Sequence, residues 1–297
     1  DRYRIDDASL ASRLSFLLWN APPDEHLLTA AERGDLRSSA GLAAQVDRLL
    51  ASPRLEQGVA AFFSDMLALD QLGSVQKDPI IYPRFSPKLA ADAREQALRT
   101  IVDTLVRRDA PYGDLFTTHR TFVSRTLGLL YGEPVARQSG WEAREYPADD
   151  PRAGLLTLPA LLMTYSHPGR SSPVLRGKAI RELLLCQPIP PPPPNVNFAI
   201  VQDVTNPRFA TARQRDAAHN NDPSCSGCHK LMDPLGLTLE NFDGTGAMRT
   251  HENGEPIDLS GELNGVAVTG AAGLGRAIAE DPASSECLAS RIYAYGV

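Results

Sequence analysis

Apolar positions recur at helical spacing through the first third of the chain. Leu10, Leu14, Leu17 and Leu18 share one face behind Asp6 or Asp7, either of which suits a helix N-cap. Asn20-Ala21-Pro22-Pro23 ends that stripe, and Pro23 then fits the opening turn of a second helix, Asp24 to Arg33, stopped by Gly34. A third helix is predicted over about Ala40 to Ala51. A fourth runs from Pro53 to about Leu69, with Val59, Phe62, Phe63, Met66 and Leu67 on one side. The clearest stripe starts at Ser86-Pro87 and carries Leu98, Ile101, Val102, Leu105 and Val106 at i, i+3, i+4 spacing. Such stripes bury one another as a helical bundle, predicted for residues 1–133.

Residues Gly132 to Arg152 are polar and punctuated by Gly and Pro, which reads as a boundary. The apolar stretch Leu155 to Met163 follows, and then a helix opening at Ser171-Ser172-Pro173 and running through Ile180 to Cys186. Ile189 to Pro194 holds five consecutive prolines, a polyproline II segment that acts as a stiff surface spacer, with peptide recognition as the alternative. These stretches make up a second region, 152–250. The remaining 251–297 begins with an Asn253-Gly254 turn and short extended pieces. It then has a Gly/Ala-rich helix near Ala271 to Glu280 and a last helix carrying Leu288, Ile292 and Tyr295.

The 297 residues suffice for one large domain or two to three smaller ones. A net charge of -6 without any basic block argues against nucleic acid as a partner. No apolar run approaches the roughly 18 residues of a transmembrane segment. The chain opens at Asp1 on a charged segment with no signal-peptide core, so an exported protein would have its signal removed or outside this piece.

Four cysteines carry the candidate chemistry. Cys225-Ser226-Gly227-Cys228-His229 is the Cys-x-x-Cys-His pattern of c-type haem attachment. Two thiols three residues apart on a helical turn can each add to a haem vinyl group, and the adjacent imidazole is then aimed at the iron from the same side. Cys225, Cys228 and His229 are thus expected to bind haem c, with His229 the proximal iron ligand. A zinc site would need a second ligand pair, whereas Cys186 and Cys287 are single and far apart. A thioredoxin-like pair would follow a strand; this motif follows a polar helical segment, Ala210 to Asn220. Cys186 and Cys287 are left over, and in an exported protein an even remainder favours a disulfide; two buried free thiols are the alternative. Haem c is attached outside the bacterial cytoplasm, so a periplasmic or extracellular location is expected. The predicted fold class is mainly α, a helical bundle followed by a c-type haem-binding helical domain with a short extended or hairpin segment.

The stretch CSGCHKLMDPLGLTLENFD, Cys225 to Asp243, with Gly246 and Arg249, resembles the haem-motif domain of planctomycete-type cytochrome c-like proteins, domain of unknown function 1588. Arg152 to Thr157, Ser171 to Lys178 and the proline run fit the same domain. Asp6, Ala11 to Leu14, Leu18-Trp19 and Pro23-Asp24 resemble its partner, domain 1592. Pro256-Ile257-Asp258, Cys287 and Tyr293 to Gly296 look like domain 1585, which usually continues with Arg where this chain has Val297. The resemblance implies a helical, exported haem c protein, often one module of a longer polypeptide or assembly; it implies no particular reaction. Within it, Asp233, Pro234, Gly236, Glu240, Asn241 and Asp243 read as a turn and capping network behind the haem helix, with calcium binding by the carboxylates as the alternative.

The distal side of the iron decides function. Met232, three residues after His229, cannot easily reach the opposite face, and His219 suits a propionate contact or a cap. Met163 is the preferred distal candidate, Met248 the next, and His167 and His251 follow. A filled distal position makes the protein an electron-transfer module with a redox partner protein. An open one, with Arg170, Arg176 or His167 above it, makes it a haem enzyme of peroxidase or oxygenase type. The third reading is a structural or sensory haem in a partner-binding protein, which an exposed apolar patch before Gly132 would favour.

Overall fold

Local signals set the helices where the sequence places them. In the computed structural model, which describes residues 5–191, 203–220 and 223–296 (223–225 by backbone alone), the protein is mainly helical. Asp6 caps α1 (Asp7–Trp19) by accepting from the Ser9 N–H, and Asp24 caps α2 (Glu25–Glu32) through the Leu27 N–H. Ser38 caps α3 (Ser39–Leu50); α4 follows at Leu55–Met66. Ser86 with Pro87 in the first turn opens α5 (Pro87–Val102), which runs on into a wider turn at Asp103–Arg107.

Two apolar clusters hold these helices. The smaller gathers Ala11, Trp19, Leu27, Leu36 and Leu49, and Trp19 satisfies its buried indole by donating to the Leu49 carbonyl at 2.9 Å. The larger runs from Phe62 and Leu89 through Phe116, Leu155 and Met163 to Phe242, Leu274 and Ile278. It therefore joins residues from all three predicted stretches in one continuous core. Phe116 and Phe242 are fully buried in it, each stabilising by about 2–3 kcal/mol.

The polar stretch 132–152 also returns to this body. It carries β2 (Glu142–Glu145), antiparallel to β1 (Arg120–Val123) with Arg120 opposite Glu145. Arg152 ties it further, pairing with Glu133 and Asp150 and lying 3.9 Å from the Tyr146 ring centroid. Glu-Ala-Arg-Glu offers no apolar alternation, so its sequence hides this strand.

Beyond α6 (Arg125–Tyr131) and α7 (Pro159–Thr164), Ser172 caps α8 (Pro173–Ala179), which continues as a wider turn over Ile180–Leu184. A Thr211–Gln214 capping box starts α9 (Ala212–His219), and α10 spans Pro223–Gly236. Helices α8 and α10 touch backbone to backbone. A Cβ at Gly177 would lie 1.9 Å from the Met232 carbonyl oxygen, and one at Gly236 would lie 1.8 Å from that of Pro173. Only glycine permits this approach, and it fixes α10 against the core.

Two small hairpins follow. Asn253 and Gly254, at φ 49° and 85°, turn β3 (His251–Glu252) into β4 (Glu255–Pro256). Strand β5 (Ser260–Leu263) pairs antiparallel with β6 (Val266–Thr269). Helices α11 (Gly270–Glu280) and α12 (Pro282–Gly296) complete the chain. The predicted turn and both C-terminal helices fall at these places. Most of the proline run lies outside the described residues. Among the described residues, no helix is long and apolar enough to cross a membrane.

Candidate functional site

Helix α10 carries positions 225, 228 and 229 together. Its far side is pinned by the α8 crossing and by Arg181, whose Nε donates to the Leu231 carbonyl at 3.0 Å. Cys228 is a half-buried free thiol. One turn on from His229, Asp233 lies on the same helical face. Its Oδ2 and Oδ1 stand 2.9 and 3.0 Å from His229 Nδ1, with the two side chains only 13% and 6% exposed. A carboxylate at Nδ1 favours the tautomer that carries its proton there, the one in which Nε2 can ligate a metal.

Helix α9 backs this pair. Asn220, at its C-terminus, donates Nδ2 to Asp233 Oδ2 at 2.8 Å, and the His219 ring packs edge-on against His229 with centroids 5.2 Å apart. Asp216 is buried nearby, and burial first, then the carboxylates of Asp233 and Glu240, push its carboxyl well above the usual range against the pull of Arg215 and Arg170. Arg215 anchors α9 to β3 through Glu252 at 2.5 Å, and Glu252 also accepts from the Ala212 N–H at 2.6 Å. A cleft of about 380 Å³ opens along His229, lined also by Arg213, Asp216, Lys230, Asp233, Leu237 and Ser260.

A second polar cluster lies behind the α8 crossing. Arg176, 2% exposed, donates to the carbonyls of Leu239 and Phe242 at 2.9 and 2.8 Å and faces Glu240 at 3.3 Å. Glu240 is also held by Arg249 at 2.7 Å and by the Ser171 hydroxyl at 2.7 Å. Asp243 closes the following turn by accepting from the N–H groups of Thr245 and Ala247 and from the Thr245 hydroxyl. The expected turn network therefore exists for Asp243, but Glu240 is a buried ion-pair centre, and Asp233 faces His229. No group of three metal-ligating side chains forms among the described residues, and these carboxylates are engaged with cations, backbone or imidazole rather than with one another.

The other expected ligands stand elsewhere. Met163 is fully buried in the main core and Met248 is 45% exposed; neither lines the His229 cleft. Met232 is buried where α10 meets Gly177, a packing position. His167 is half-buried, and burial, with Arg170 and Lys77 nearby, holds its imidazole down to about 4. His251 is exposed and paired with the Thr250 hydroxyl. Arg176, a candidate for the distal side, is consumed by the second cluster. Cys186 and Cys287 are joined in a disulfide that ties the end of the α8 segment to α12.

Sequence reasoning missed Asp233 as the partner of His229, although the i, i+4 spacing within one helix was a readable signal. Asp216 and Asn220 gave no comparable signal, because their helix approaches only in the fold.

A helical protein presenting a Cys-x-x-Cys-His helix beside an open cleft is what fold and site define together. Residues 5–132 match the family PSD4, described as a protein of unknown function (DUF1592), and residues 152–252 match PSCyt3, likewise a protein of unknown function (DUF1588). No curated protein and no solved structure matches the chain.

Proposed function

We propose that the protein is an extracytoplasmic carrier of one haem c, held by thioether bonds from Cys225 and Cys228 and by His229 Nε2, and that it works as an electron-transfer module. One observation carries the reading: His229 Nδ1 is engaged by Asp233, which reserves Nε2 for iron. The donor set fits this group. The thiol of Cys228 is free, Cys186 and Cys287 are spent on each other, and a second cysteine pair for zinc is therefore lacking. Lys230 borders the cleft and supplies positive charge for the haem carboxylates, beside Arg213, which is paired with Asp258. The disulfide supports an oxidising compartment, and the match to a family named PSCyt3 agrees with a cytochrome. Bound there, haem supplies one-electron transfer; the chain's own work is to attach it, orient the imidazole and border it with charge.

The positions of the two methionines support a second reading, a haem with an open distal side and peroxidase or oxygenase chemistry. Met163 is buried in the core and Met248 lies outside the His229 cleft.

Absorption spectra of the protein purified from a host that matures cytochromes c test both. A Soret band that survives denaturation is expected, and its absence rejects the haem. A low-spin spectrum unmoved by cyanide or carbon monoxide supports electron transfer. A high-spin spectrum that shifts with either ligand supports the open-iron reading.

A further inference from the structure

Two buried carboxylates near α10 are treated oppositely by the fold. Glu240 is bracketed by Arg176 at 3.3 Å and Arg249 at 2.7 Å, so its charge is neutralised on the spot. Among the described residues Asp233 has no Lys or Arg in ion-pair contact; it meets the His229 Nδ1, at 2.9 Å, and the neutral Asn220 amide, at 2.8 Å. We propose that Asp233 is a positioning residue that pushes electron density through His229 and so favours the ferric state of the iron held there. The inference rests on the haem reading above.

The chemistry follows from the acceptor. A hydrogen bond from an imidazole N–H to a carboxylate is roughly twice as strong as one to a neutral carbonyl, and a buried, little-screened site keeps that strength. It gives the imidazole imidazolate character, makes Nε2 a stronger donor and stabilises the more positive iron. Asn220 works against Asp233, because its amide draws on the same Oδ2 that faces His229.

The test is a redox titration of the full, haem-loaded chain in four forms: wild type, Asp233→Asn, Asp233→Glu and Asn220→Ala. Asp233→Asn keeps the shape and removes the charge, so at a fixed applied potential the ferrous-to-ferric ratio is expected to rise at least tenfold, a shift of about 59 mV for one electron. Asp233→Glu, which restores the charge, returns the ratio toward wild type. Asn220→Ala frees the carboxylate to act on His229 alone, and the ratio is expected to fall. A merely structural role would not give opposite signs for the two neighbours. An unchanged ratio in haem-loaded Asp233→Asn overturns the inference and leaves haem binding intact. Should Asp233→Asn retain no haem, the sign in Asn220→Ala decides: a fall supports the proposal, and a rise or no change overturns it. A wild-type protein without a Soret band instead overturns the haem reading itself.

Discussion

Lys77 Nζ lies 3.1 Å from the carbonyl oxygen of Met163, across the seam between the two family-matched stretches. The same ammonium donates to the Ser166 hydroxyl at 2.5 Å and the His167 carbonyl at 3.2 Å, so all three of its protons have acceptors. Residue 77 itself is only 8% exposed. One buried cation thus fastens the loop after α7 to the helical bundle.

That burial makes stability depend on pH. Desolvation first, and Arg176 second, hold the Lys77 ammonium down to about 8 from an ordinary 10.5, with Asp243 pulling the other way. Between these values the unfolded chain binds more protons at this site than the folded one, so stability from this residue rises with pH across the window. Urea denaturation of wild type and Lys77→Met at pH 8 and pH 10 reads this directly. The wild type is expected to gain on the variant at the higher pH; a constant difference would reject the assignment.

Arg176 is expected to resist conservative replacement. Its planar fork reaches two ways at once, Nη1 to the carbonyls of Leu239 and Phe242 and to Glu240, and Nη2 to the Asp243 carbonyl at 2.5 Å, a spread that the single nitrogen of lysine cannot span. Arg176→Lys should cost about 2 kcal/mol or more, and Arg176→Met about 3–5 kcal/mol, because the latter leaves Glu240 with one cation fewer. Thermal unfolding monitored by circular dichroism measures both. Equal stability of Arg176→Lys and wild type would contradict the fork.

Gly177→Ala places a methyl 1.9 Å from the Met232 carbonyl and must prise α8 from α10. A loss of about 1–3 kcal/mol is expected from overpacking. Because the crossing fixes the helix that carries His229, the proposed haem binding predicts that the haem content of purified Gly177→Ala falls with it. Full haem loading at reduced stability would separate the crossing from the site.

The Cys186–Cys287 bond closes residues separated by 101 positions. A loop of this length stabilises by roughly 4–5 kcal/mol in the chain-entropy account. Replacing both cysteines by serine should lower the urea midpoint accordingly, without changing the far-ultraviolet spectrum of the folded protein. An unchanged midpoint would mean the bond contributes no net stability.

What was legible in advance depended on distance along the chain. Caps such as Asp6, Asp24 and Ser86 act on N–H groups three residues away, so their effect is written locally. The i, i+3, i+4 stripe of α5 declared its buried face for the same reason. Strand β2 did not, since its partner lies some twenty residues earlier and its own residues are polar. The thiols and imidazole of the motif were visible as spacing. The Asp216–Asn220 support was not, because α9 reaches Asp233 only when the core folds. Met163 was readable as an apolar residue, but whether such a residue faces a cofactor or the core is decided by the packing of α7, which no local pattern encodes.

The same disulfide has a topological meaning. It makes residues 186–287 a covalent ring, and that ring contains α9, α10 and every candidate attachment position on it. A protease that cuts once anywhere inside the ring opens a loop but releases no fragment: α10 keeps its backbone link to one of the two cysteines, and the disulfide holds that cysteine to the rest of the chain. In an environment rich in proteases, one nick inside the ring does not cost the molecule the helix that carries the Cys-x-x-Cys-His motif.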